Sequence, residues 1–228
     1  MRDDEIISRQ REAYRANFLV HGDGPLGTYQ NNQLTQFLRF ETLISRLAPH
    51  FGEKATLHDV GSGICDLKKF LDIKGLGESV SYSGTEIVEE MNELARQKYP
   101  GIELFNRNFL DDSHNDRYDF VVLSGTFNLP SDVDGPAWGK LCLALVDKMF
   151  ERADKGIAFN FLTSYRTFSD PTLFYIDPRE IFDHITTKHS RFVCLDSAYP
   201  LYECTVTAFR KEFMASLFPQ PELRKYFR

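Results

Sequence analysis

No apolar run in the 228 residues approaches the eighteen or so needed to cross a bilayer. The first fifteen residues, MRDDEIISRQREAYR, are charged where a secretory leader would be apolar, so the expectation is a cytoplasmic protein with no membrane partner. Cationic clusters are missing too. Lys and Arg are scattered and the formal net charge is -6, which argues against a nucleic-acid partner and in favour of a small substrate. The four cysteines, Cys65, Cys142, Cys194 and Cys204, have no CxxC spacing and no histidine at zinc-site intervals. They read as reduced thiols, mostly buried, no metal is expected, and none of the six histidines has an evident partner along the chain. His58 lies within a strand pattern and reads as a satisfied core residue, while His184 and His189 read as surface residues at a helix end. Internal repeats and linkers rich in Pro, Gly or Ser are lacking, and the length fits one domain that buries about 70% of its unfolded surface.

What is present is an alternation of elements. Two helices are predicted near the start, over 4–18 and 33–47, separated by the Gly-rich segment HGDGPLGTYQNN. From residue 55 onward, short apolar runs alternate with helical stretches, the pattern of a parallel sheet with covering helices. The runs fall at 56–60, 79–87, 102–109, 118–125 and 156–164. A helix over VEEMNELARQKY follows the second run, and one bearing Trp138, Leu141, Cys142, Leu145 and Met149 follows the fourth. SRFVCLD and YECTVTAFR then flank the turn SAYPLY as an antiparallel hairpin. Residues 165–178 form the one loop long enough to suspect of substrate contact.

The strongest local signal is HDVGSGICDLKKFL, where a strand ends at Asp59 and breaks into Gly61-Ser62-Gly63 before a helix. Glycine lets a ligand approach the main chain, and the helix start offers unpaired N–H groups. A dinucleotide fingerprint would want a third glycine, but Asp66 stands there, and its carboxylate would oppose a pyrophosphate. A cofactor that is cationic and free of phosphate suits Asp59 and Asp66 better.

With Asp59, Gly61 and Gly63 in this order, the chain resembles the class I S-adenosylmethionine-dependent methyltransferases; Cys65 departs from a third glycine often seen in that family. More narrowly, Gln36, Arg39 and Phe40, SGTFN after the fourth strand and YPLYECT near the end are similar to a group of small bacterial methyltransferases, over about residues 29–210. The resemblance implies a Rossmann-like doubly wound α/β sheet, mostly parallel with an antiparallel C-terminal hairpin strand, in the order 3-2-1-4-5-7-6. Residues 1–50 would form a helical lid belonging to the same domain as the cofactor-binding residues 51–228. S-adenosylmethionine would be the cofactor and S-adenosylhomocysteine the product.

The resemblance also implies residue roles. Glu86 would accept both ribose hydroxyls, with Ser62 and Ile87 beside the same cofactor; Asn108 would take the adenine amino group and Phe109 would offer its amide to the ring. Ser124 would lie beside the methionine part, Gln36 and Arg39 would hold its carboxylate, and Tyr29 would close over it. Two other readings of Arg39 stand: it could snorkel to solvent, or it could pair with Glu41 or another carboxylate. Candidate groups toward the acceptor are Asn128, Tyr165 and Tyr199; Tyr165, Tyr175, Tyr199 and Tyr202 could line an acceptor pocket or simply pack. The implied reaction is methyl transfer to an O or N atom of a small molecule, with specialised metabolism as one setting, by a monomer or homodimer. A non-methylating enzyme, a binding module for the same cofactor and a nicotinamide-dependent oxidoreductase remain as alternatives, Asp66 speaking against the last.

Overall fold

The structure is a computed structural model and describes residues 2–227. Helices α1 (Asp3–His21) and α2 (Gln33–Ser45) precede the sheet. Strands and helices then alternate as β1 (Ala55–Val60), α3 (Asp66–Ile73), β2 (Val80–Glu86), α4 (Glu89–Lys98) and β3 (Glu103–Asn106). They continue as β4 (Tyr118–Leu123), α5 (Gly135–Arg152), β5 (Ala153–Leu162), α6 (Pro178–Lys188), β6 (Val193–Asp196), β7 (Glu203–Phe209) and α7 (Lys211–Leu217).

One seven-stranded sheet has the order β3-β2-β1-β4-β5-β7-β6. The first five strands pair in parallel, and β7 runs antiparallel to both β5 and β6, as expected. β4 and the inner part of β5, from Gly156 to Phe161, are buried and mostly apolar because helices cover both faces of the sheet. On one side Ile6 and Ile7 of α1 join Trp138, Leu145 and Met149 of α5 and Ile181 and Ile185 of α6. On the other, Phe40, Leu43 and Ile44 of α2 pack with Leu67, Phe70 and Leu71 of α3. Helix starts follow local chemistry: the side chains of Asn32, Asp134 and Asp177 accept N–H bonds from Thr35, Ala137 and Arg179.

Several boundaries differ from those the sequence suggests. α2 stops at Ser45, and a short 3-10 turn over Ala48–His50 accommodates Pro49. β3 ends at Asn106 rather than 109, because Asn108 Oδ1 accepts the Leu110 N–H (3.1 Å) and folds the chain into a turn. β5 begins at Ala153, directly after α5, earlier than its apolar pattern indicates. Helices α6 and α7 and a 3-10 segment over Pro221–Phe227 complete the chain.

Candidate active site

β1 hydrogen-bonds to β2 on one side and β4 on the other, so the chain leaves the sheet in opposite directions beyond its carboxyl end. That divergence opens the crevice in which doubly wound sheets bind ligands. Two contiguous clefts occupy it. The first, about 560 Å³, is lined among others by Gln36, Asp59, Gly61, Ser62, Gly63 and Asp66; the second, about 640 Å³ and more apolar, by Ile87, Asn108, Phe109, Trp138 and Leu141. Tyr14, Gly61, Glu86 and Thr126 border both.

The turn after β1 is held by backbone. The N–H groups of Gly61 and Ser62 both donate to Thr85 O, at 2.8 and 3.1 Å. Gly61, Gly63 and Cys65 all have positive φ, at 71°, 53° and 64°. Cys65 thus occupies, as a non-glycine, a left-handed position that a glycine takes without strain. Gly84 on β2 has a separate role, since a Cβ there would lie 2.6 Å from Ser62 Oγ.

Gly61→Ala should destabilise the fold by about 1–2 kcal/mol, the cost of a Cβ in left-handed backbone. The added methyl would also start 2.6 Å from Thr126 Oγ1, on the wall shared by both clefts. The hydroxyl can rotate away, so Thr126→Ala should recover little of the loss; urea unfolding of both variants and the double variant checks this.

Glu86, at the end of β2, is the best-oriented acid in the crevice. Its Oε2 accepts the Gly63 N–H (2.9 Å), and its Oε1 accepts those of Ile87 (2.7 Å) and Val88 (2.9 Å). Burial pushes its carboxyl above the ordinary range, and the three N–H bonds oppose that shift. Asp59 accepts the Tyr82 hydroxyl at 2.7 Å, and burial, against that bond, raises it to about 7. Glu86 and Asp66 add to the rise. Gln36 donates to Asp66 Oδ2 at 2.9 Å.

Ten of the twelve residues expected around the cofactor therefore line the paired clefts: Gln36, Asp59, Gly61, Ser62, Gly63, Glu86 and Ser124 in the first, Ile87, Asn108 and Phe109 in the second. Two lie outside the lining. Tyr29 is 43% exposed and meets Tyr14 edge-on with ring centroids 5.0 Å apart, while its neighbours Thr28 and Gln30 face the cleft. Arg39 takes the last of its three readings, with a partner other than Glu41. It is buried, with Nε 2.5 Å from Oε1 of Glu203 and a terminal nitrogen on Gln30 Oε1.

The chain of bonds continues inward from Arg39. Asn160 donates to Glu203 Oε2 at 3.0 Å and accepts the Gly125 N–H at 2.9 Å, so Arg39 reaches the floor of the cleft through two buried side chains. Asn128 is likewise engaged in structure: its Oδ1 accepts the Leu162 N–H (3.2 Å) and its backbone oxygen accepts that of Phe174 (2.8 Å). None of Tyr165, Tyr175, Tyr199 and Tyr202 lines either cleft. Tyr199 bonds to Thr205, Tyr202 to Thr167, Tyr175 to the Asp170 N–H, and Tyr165 is 61% exposed.

Sequence reasoning missed Tyr14 and Gln10, whereas Thr126 lies within the SGTFN segment expected beside the methionine part. Tyr14 is half-buried on α1 and borders both clefts, and desolvation, with Glu86 nearby, holds its phenol above the ordinary range. Gln10 Oε1 and Ser62 Oγ are buried without a hydrogen-bond partner among the described residues, one in each cleft. A helix carrying scattered polar residues gives no local sign that they point at a ligand. The histidines also need correction. His58 is satisfied, between Ser83 and Thr85, but His184 and His189 are partly buried and share Asp147 as a partner.

The sheet order and the Gly-rich turn facing an acid at the end of β2 define a doubly wound α/β protein with a deep crevice at the carboxyl end of its parallel strands. No family model matches the chain. A 154-residue stretch, 66% of this chain and 90% of the relative, is 31% identical to the "Putative methyltransferase Rv1506c" of Mycobacterium tuberculosis. The magnesium protoporphyrin IX methyltransferase ChlM of Synechocystis PCC 6803, solved with bound S-adenosylhomocysteine, superposes with a TM-score of 0.63 at 14% identity, over 90% of this chain and 99% of that one. The DhpI-SAM-HEP complex gives 0.60 at 13%, over 91% and 99%. At such identities these two structures carry the fold. The chain belongs to the class I S-adenosylmethionine-dependent methyltransferase family.

Proposed function

We propose that this protein binds S-adenosylmethionine in the paired clefts and transfers its methyl group to an O or N atom of a small molecule. The observation that carries the reading is Glu86, a buried carboxylate fixed by three backbone N–H groups where a polar cleft meets an apolar one. Three bonds leave one of about four lone-pair positions free on Oε2, and a ribose hydroxyl can take it. The apolar cleft between Ile87, Phe109 and Leu141 suits an adenine ring, with Asn108 at its edge. Asp59 and Asp66 in the polar cleft suit an α-ammonium group and disfavour phosphate. The orphaned Ser62 Oγ and Gln10 Oε1 supply further unspent polar contacts, which fits a site completed by its ligand.

When bound, the cofactor supplies a sulfonium methyl open to in-line displacement. The protein's part is to orient and to exclude water. Ser124, Gly125 and Thr126 border the polar cleft, and Asn160 fixes the Gly125 N–H from below. Residues 1–50 act in this reading as a lid within the same domain, with Tyr14 as its inner contact and Tyr29 backing it. Calorimetric titration with S-adenosylmethionine and its demethylated product tests the binding, and formation of that product from an acceptor library tests transfer. Absence of binding by folded protein overturns the proposal.

Asp59 makes binding pH-dependent. In the ligand-free protein its carboxyl lies near 7 rather than 3.8, so it costs stability progressively as pH rises through that window. A cationic ligand beside it favours the charged form. Binding should therefore release a proton and tighten as pH rises toward about 7, levelling off above it. Titrations in buffers of different ionisation enthalpy read the proton directly, and identical apparent enthalpies would count against the ammonium assignment.

A further inference from the structure

Away from the crevice, α5 and α6 bring together three side chains that the reading above leaves unused. Asp147 Oδ1 lies 2.7 Å from His184 Nε2 and 2.6 Å from His189 Nε2. The three ligand-capable atoms lie within 4.8 Å of one another. The spacing of the histidines, five residues, would not put them on one stripe of a continuing helix. α6 ends at Lys188 instead, and His189 turns inward with φ -125° and ψ -66°, its N–H on Ile185 O and its ring stacked on Phe150 at 4.6 Å. Two imidazole nitrogens thus aim at a single carboxylate oxygen.

We propose that Asp147, His184 and His189 form a binding site for a divalent transition-metal ion of the zinc type, independent of the cofactor crevice. Two imidazoles and one carboxylate are the donor set such borderline ions prefer, and three protein ligands leave a position open to solvent. An open cleft that carries Asp147 and His189, with the acids Glu151 and Glu212 and the cations Lys188, Arg210 and Lys211 on its walls, gives that access. Binding displaces the Nε2 protons that face Asp147, each neutral imidazole then carrying its one proton on Nδ1 and any imidazolium proton passing to water, and Asp147 Oδ1 becomes the third ligand. Lys188 pairs with the other oxygen, Oδ2, which steadies the carboxylate but sets a like charge beside the ion. Because Asp147 and the histidines come from different helices, the ion would clamp α5 to α6.

The full chain, freed of metal by chelation, is titrated with zinc chloride by calorimetry, and with cobalt chloride while visible absorption is followed. One ion per chain is expected, with a raised melting temperature. His184→Gln and His189→Gln should each weaken binding by at least about tenfold. Their melting without metal shows whether the fold is intact. Lys188→Ala should tighten binding, whereas a mere ion-paired helix clamp would lose stability and gain no metal affinity. Cys194→Ala, which removes a partly exposed thiol, should change nothing. No binding by the wild type, wild-type affinity in either histidine variant, no gain in Lys188→Ala or loss in Cys194→Ala each overturns the site.

Discussion

Arg39→Ala should lower the unfolding free energy by about 3–5 kcal/mol, the characteristic cost of stranding a buried charge. Glu203 is 1% exposed and would keep Asn160 as its one remaining side-chain partner. Burial already raises its carboxyl, and the Arg39 guanidinium works against that rise. Removing the guanidinium raises the folded-state value further. The variant therefore loses stability as pH climbs above the ordinary value of 4.5, and its gap to the wild type widens with pH. Arg39→Met combined with Glu203→Leu should recover most of the loss, because no charge is then left without a partner. Denaturant unfolding at two pH values checks both statements; a loss under about 1 kcal/mol for Arg39→Ala would mean that the pair behaves as an exposed one.

Glu86→Ala should weaken S-adenosylmethionine binding by about 2–4 kcal/mol, roughly a 30- to 1,000-fold rise in the dissociation constant. Part of the effect is the loss of a charged acceptor for the ribose. The rest is the release of the Gly63, Ile87 and Val88 N–H groups, which hold the turn and the start of α4 in register with one another. Glu86→Gln keeps the shape but sets an amide N–H₂ against at least one backbone N–H, so it should fall between wild type and alanine. Melting of each ligand-free variant separates lost binding from lost fold, and unchanged calorimetric affinity in the alanine variant would remove Glu86 from the site.

The reach of sequence reasoning follows the range of the forces involved. Strand β4 and helix α5 are legible because burial on both faces of a sheet, or on one stripe of a helix, writes a short-range period into the chain. The turn at Gly61 and Gly63 is legible because positive φ selects glycine locally, and Glu86 because it ends the next strand in a known topology. The early end of β3 was hidden, since a single Asn108 side chain competes with the ladder there.

Side-chain partnership is a different matter. Arg39 and Glu203 are 164 positions apart and meet because β7 inserts beside β5 and α2 packs over both. Tyr14 reaches the crevice because Ile6 and Ile7 anchor α1 to the core. Asp147 receives two imidazoles because α6 ends one residue before His189. The sequence by itself determined the alternation of strands and helices and the Gly-rich turn, both properties of backbone geometry within a few residues, and it marked Glu86 as the acid facing that turn through its place at the end of the next strand in a known topology. Tertiary structure alone decided which charges and rings meet, because a buried charge requires some partner, many residues qualify, and packing of distant elements brings just one within reach.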